Sequence, residues 1–181
     1  ANSGSNTIDT GDGEDVVTFV GGTNYGDTGD GDDIIYLSGG SNTIKTDSGA
    51  NAVSVSGGLN NIETGVGDDS ISVDGGTSSI ITGDGNDTIT ASGTANITSL
   101  DGGAGLDVLR ILSPGSVTLP VALNFETLFV TTTVHESLDY SSSPNLTEVE
   151  LEAGKTIDDE TMVLTLGAGQ ALTLDGIIDG D

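Results

Sequence analysis

Thr28 to Tyr36 reads TGDGDDIIY, two glycines separated by aspartate, a pair of acids, and then Ile34, Ile35 and Tyr36. Glycine permits a tight turn at φ values other residues avoid, and the β-branched run behind it favours a strand. The same turn-then-strand order recurs as TGDGEDVVT from Thr10, TGVGDDSIS from Thr64 and TGDGNDTIT from Thr82, and in altered form as DSGANAVSV from Asp47. Working outward, units of 18 residues run without gaps from Ser3 to Ser92, beginning at Ser3, Gly21, Gly39, Gly57 and Gly75, and a sixth from Gly93 is two residues longer before its motif.

Each unit divides into two nonapeptides, one G-x-G-x-D-x-U-x with U apolar, the other G-G-x-N-x-U-x-T. Val17 and Phe19, Ile35 and Leu37, Val53 and Val55, Ile71 and Val73, and Ile89 and Ala91 alternate with mostly polar neighbours, the period of a half-buried strand. Ile8, Ile44, Ile62 and Ile80 form the matching apolar row of the second strand, with Gly26 as its one gap, and Thr10, Thr28, Thr46, Thr64 and Thr82 follow two residues later. A coil of two short strands cannot bury its inner face alone, so coils must stack in register. The expected fold is all-β, a flattened right-handed parallel β-roll with 18-residue coils.

Glycine marks where this regularity ends: residues 1–107 hold 23 of the 29 glycines, and 108–181 hold six. The later half carries VLRIL, NFETLFV, NLTEVEL, ETMVLTL and QALTL, apolar alternations with irregular spacing. Asn124 and Asn145 stand 21 residues apart with matching apolar positions. We therefore expect a roll over 1–110 and, over 111–181, a less regular β-solenoid continuation without metal turns, in preference to a separate small β-sandwich.

Lys45, Arg110 and Lys155 stand against 29 acids, a formal net charge of -26. That balance argues against nucleic acid and anionic membrane surfaces as partners and points to cations. So little apolar surface with so much charge borders on disorder, and a bound cation would supply the missing stability. No cysteine is present, which removes disulfides, thiolate metal sites and thiol nucleophiles. No apolar run reaches 18 residues, so no membrane span is expected, and no signal peptide is visible; Ala1 in place of Met reads as the start of an excised piece.

In a parallel stack, residues one coil apart lie about 4.8 Å from each other. The period therefore sets Asp15, Asp33, Asn51, Asp69 and Asp87 in one turn row, and the insertion in the sixth unit brings Asp107 to the same place. Neighbouring carboxylates at that spacing repel by about 3 to 4 kcal/mol at an effective dielectric of about 20. Asp12, Glu14, Asp30, Asp32, Asp68 and Asp84 crowd the same turns. A divalent cation between coils removes the conflict, and a mixture of carboxylate and glycine carbonyl oxygen suits calcium better than magnesium. A merely solvated acidic face would not keep Gly, Gly and Asp at fixed offsets in phase with Ile and Val.

GGAGLDVLR, Gly102 to Arg110, matches the full RTX nonapeptide G-G-x-G-x-D-x-U-x, and the earlier motifs match it with Thr for the first glycine. The chain thus resembles RTX-type calcium-binding β-rolls, most of all those of bacterial surface-layer proteins or large secreted adhesins. The resemblance implies calcium held between neighbouring coils by Asp15, Asp33, Asp69, Asp87 and Asp107 with the carbonyls of Gly11, Gly13, Gly29, Gly31, Gly65, Gly67, Gly83, Gly85, Gly103 and Gly105. About three to five ions are expected, with the pairs 15/33, 69/87 and 87/107 as the best sites. Asn51 departs from the pattern, lacking the carboxylate and, at Asp47, a glycine. Asn6, Asn24, Asn42, Asn60 and Ser78 stand where a two-sided roll has aspartate, and read as a hydrogen-bonded ladder that needs no metal.

Other signals weigh less. His135 is the only histidine and reads as structural. Gly154, Lys155 and Thr156 resemble the end of a phosphate loop whose first glycine would fall at Val149. The sequons at Asn86, Asn96 and Asn145 read as chance. An ice-binding threonine ladder is disfavoured because strand alternation points that row inward. The functional expectation is a structural, non-enzymatic, secreted or cell-surface module that is exported unfolded, folds in external calcium, and has calcium and copies of itself as partners. The rival is a folding module of a secreted epimerase, protease or lipase.

Overall fold

Alternation of apolar and polar residues at period two forces each short segment to bury one face, and the turns between them bring a second strand beneath the first. In the computed structural model the first coil holds β1 (Ser5–Asp9) and β2 (Val16–Phe19), the second β3 (Thr23–Asp27) and β4 (Ile34–Leu37), and the third β5 (Ser41–Lys45) and β6 (Ala52–Val55). The fourth holds β7 (Leu59–Val66) and β8 (Ser70–Val73), the fifth β9 (Thr77–Asp84) and β10 (Thr88–Ser92), the sixth β11 (Asn96–Asp101) and β12 (Val108–Leu112), and the seventh β13 (Ala122–Leu123) and β14 (Thr127–Val130). Later strands are β15 (Leu138–Tyr140), β16 (Glu148–Leu151), β17 (Thr156–Asp158), β18 (Leu164–Leu166), β19 (Thr173–Asp175) and β20 (Ile177–Asp179). The structure describes residue 1, residues 3–112 and 122–130, and the backbone of β15 to β20. His135, Asn145, Gly154 and Lys155 lie outside the described residues.

All strand pairing among the described residues is parallel. β1-β3-β5-β7-β9-β11-β13 form one sheet, and β2-β4-β6-β8-β10-β12-β14-β16-β19 the other. Val16 pairs with Ile34, Ile34 with Ala52 and Ala52 with Ser70, so the 18-residue unit is the structural coil. Beyond it Thr127 pairs with Glu148, the 21-residue spacing read from Asn124 and Asn145, and the nine-stranded sheet runs on through β16 and β19. Two further parallel pairs, β15 with β18 and β17 with β20, complete an all-β chain. Among the described residues no helix is long and apolar enough to cross a membrane.

The core is the strip between the two sheets, with Phe19, Ile35, Leu37, Ile62, Ile71, Ile80, Ile89, Leu109 and Leu128 all buried. Gly26, the gap in the isoleucine row, is filled from across the roll: a Cβ there would stand 3.0 Å from the Phe19 ring and 3.3 Å from the Ile44 side chain. The extra pair of residues in the sixth coil enters in two places. Asn96 pairs with Thr77 one residue out of phase, after the turn at Gly93, and the register slips again between Ile97 and Ser99. Both steps are needed to bring Asp107 level with Asp87.

The asparagine row is a ladder. Nδ2 of Asn6, Asn24 and Asn42 donates to Oδ1 of the next asparagine at 2.7, 2.7 and 2.8 Å, and Asn60 Nδ2 donates to Ser78 Oγ at 3.3 Å. Each Nδ2 also donates to a carbonyl three residues back, as Asn42 does to Gly39 at 3.1 Å. Polar groups buried this way keep their hydrogen bonds and carry no charge. Thr28, Thr46, Thr64 and Thr82 point inward and are buried, as strand alternation requires. Thr46, Thr64 and Thr82 donate along the stack, to the carbonyls of Thr64 (2.5 Å), Thr82 (3.0 Å) and Gly102 (2.6 Å).

Candidate functional site: a row of buried carboxylates

The turns entering β2, β4, β6, β8, β10 and β12 stack into a second edge with different chemistry. Gly11, Gly13, Gly29, Gly31, Gly65, Gly67, Gly83, Gly85, Gly103 and Gly105 lie there in two files, all at positive φ. Between the glycines and the strands stand Asp15, Asp33, Asn51, Asp69, Asp87 and Asp107. Asp33, Asn51, Asp69, Asp87 and Asp107 are buried and Asp15, in the first coil, is partly so.

From the second coil on, one side-chain oxygen of each residue in the row has a structural task. The N–H groups of Asp15, Asp33, Asn51, Asp69 and Asp87 each donate to Oδ1 one coil further on, at 2.9, 3.1, 2.8, 2.7 and 2.8 Å. The row closes on Glu126, whose Oε2 accepts the Asp107 N–H at 2.7 Å. The other oxygen has none: Oδ2 of Asp15, Asp33, Asp69, Asp87 and Asp107 is buried without a hydrogen-bond partner. An unpaired buried carboxylate oxygen is costly, and a file of them one coil apart costs more through mutual repulsion.

Asn51 shows what an amide finds at this place in the turn. Its Oδ1 accepts the Asp33 N–H as the carboxylates do, and its Nδ2 donates to the Gly49 carbonyl at 3.1 Å. An aspartate in the same pose sets an oxygen where Asn51 has its amide nitrogen, and a carboxylate has no hydrogen for that carbonyl. Acceptor then opposes acceptor, a conflict that a proton or a cation reconciles.

The last three aspartates of the row carry a titration signature. Burial raises the carboxyls of Asp69 and Asp87 above their ordinary value, against the opposing pull of the neighbouring Thr64 and Thr82 hydroxyls and of the N–H bonds they accept. Asp107 rises from 3.8 to about 7, first through burial and then through the charges of Asp87, Glu126 and Asp101. Because the folded value exceeds the unfolded one, the folded chain holds the extra proton between the two, so stability grows as pH falls from about 7 towards 4. Chelated protein should therefore keep more strand circular-dichroism signal at pH 5 than at pH 8, and Asp107→Asn should blunt the gain. A strand signal that falls from pH 8 to pH 5 would refute the expectation.

Among the described residues, no three acidic or histidine side chains gather into a metal cluster. A cation in this row would take much of its shell from backbone carbonyls, a donor set of hard oxygens that suits calcium. The structure brings together all five predicted aspartates and the ten predicted glycines in one edge. Sequence reading missed Glu126, which directly precedes β14 as Asp107 precedes β12; that position was its only signal. No family model, curated protein or solved structure matches the chain.

Proposed function

We propose that this chain is a non-catalytic calcium-binding module of a secreted bacterial cell-surface protein, of surface-layer or adhesin type, that folds on meeting external calcium. The observation that carries the calcium reading is the file of buried, partnerless Oδ2 atoms on Asp15, Asp33, Asp69, Asp87 and Asp107. Asp15, Asp33, Asp69, Asp87 and Asp107, with the glycine carbonyls of their turns, would hold the ions. Calcium supplies charge neutralisation between coils and ties each coil to the next. At cytosolic calcium the vacant oxygens and a net charge of -26 oppose folding, which favours export before folding. The cell-surface role rests on the RTX-like motifs and on a solenoid that lengthens by repetition.

Calcium titration of two variants tests the calcium reading. Asp87 stands between two partners, accepting the Asp69 N–H and donating its own to Asp107. Asp87→Ala should remove ions from both steps and lower stability by about 2 to 4 kcal/mol, since it also strands a buried N–H. Asn42→Ala, in the neutral ladder, should lower stability without changing the number of calcium ions bound. Equal stoichiometry in Asp87→Ala and the parent chain would defeat the proposal.

A further inference from the structure

Asn51 sits in an unusual coil. In the third coil, residues 39–56, Lys45 and Asp47 are the only charged residues, and they form an ion pair. The coil before it carries Asp27, Asp30, Asp32 and Asp33, and the coil after it Glu63, Asp68, Asp69 and Asp74, neither with a basic residue. The third coil also supplies donors to the acids of the second: Ser48 Oγ to Asp30 Oδ1 at 2.7 Å, and the Ala50 N–H to Asp32 Oδ1 at 2.8 Å. Within the row, Asn51 is the one member without a partnerless oxygen, because Nδ2 closes on the Gly49 carbonyl.

We infer that the third coil is a cation-free splice, in which the Asn51 amide does by hydrogen bonding what calcium does elsewhere, and that it divides the row into two independent cation blocks, Asp15–Asp33 before it and Asp69–Asp87–Asp107 after it. The amide orientation is fixed by its partners: reversing it would set nitrogen against the Asp33 N–H and oxygen against the Gly49 carbonyl. The splice keeps the backbone ladder unbroken, since Asn51 still accepts from Asp33 and donates its N–H to Asp69 Oδ1 at 2.8 Å. Register thus passes through the coil while the coupling between ions does not. A row without such a break would load as one unit; this row loads in two, with a neutral coil between them.

The inference rests on the calcium reading above, and its test separates the two. Calcium chloride is titrated calorimetrically into the 181-residue parent chain, Asn51→Asp and Asp33→Asn. Asn51→Asp should bind at least one more calcium than the parent. Asp33→Asn should lose the first block's calcium while the remaining sites keep their affinity within about twofold, as sites without shared partners do. A parent that binds no calcium would sink the calcium reading itself. A parent that binds calcium while Asn51→Asp binds the same number, or while Asp33→Asn weakens every remaining site together, overturns the splice alone.

Discussion

Dialysed against EDTA at neutral pH, the chain is expected to lose its strand circular-dichroism signal, and to regain it as calcium chloride rises through about 0.1 to 1 mM. The core between the sheets is one strip of side chains, chiefly Ile, Val and Leu, so apolar burial leaves a small surplus over chain entropy. Against that surplus stand five buried Oδ2 atoms without partners and a net charge of -26. Each unpaired buried oxygen costs about 1 to 3 kcal/mol, so the five together are as large as the net stability of an ordinary domain. Magnesium at the same concentration should restore less signal, because it surrenders its waters reluctantly. The strand signal is followed at fixed protein concentration through chelation and recalcification; a signal that survives EDTA unchanged refutes the expectation.

What the sequence makes legible here is whatever repeats. The row from Asp15 to Asp107, the inward threonines and the asparagine ladder follow from one period, because in a parallel stack a spacing in sequence becomes a neighbour in space. Asn51 could be seen to break the row, but its hydrogen bond to the Gly49 carbonyl depends on which way an amide turns, and no spacing encodes that. The sixth coil shows a second limit. Two extra residues were countable, but their division between the turn at Gly93 and a bulge beside Ile97 is a packing outcome: Ala95 and Ile97 are both buried, and the asparagine ladder has already ended at Ser78. Glu126 shows a third. Its turn is shorter and lacks the glycine pair, so a longer side chain delivers the acceptor oxygen that aspartate delivers elsewhere, and the motif that identifies the row is absent where the row ends.

A large loss from a single substitution should come from Gly67→Ala, and Gly13→Ala supplies its control. The two glycines occupy the same place in their turns, with φ of +140° and +129°, so an L side chain meets similar backbone strain at either, about 1 to 3 kcal/mol. They differ in what lies one coil earlier. A Cβ on Gly67 would stand 2.0 Å from the Gly49 carbonyl oxygen and 2.6 Å from its carbon, whereas a Cβ on Gly13 has nothing within 4 Å. The Gly67 turn cannot retreat, because its N–H donates to the Asp84 carbonyl at 2.8 Å on the far side. Relief would require parting the coils at the edge where Asp69 and Asp87 lie, which would cost both the backbone ladder and the cation geometry. In saturating calcium, urea denaturation should show Gly13→Ala losing only the strain and Gly67→Ala losing at least about 3 kcal/mol more, with its calcium midpoint raised at least tenfold. Equal losses in the two variants would mean that the coils do not approach as closely as the register requires, and the file of facing oxygens would lose its physical basis with it.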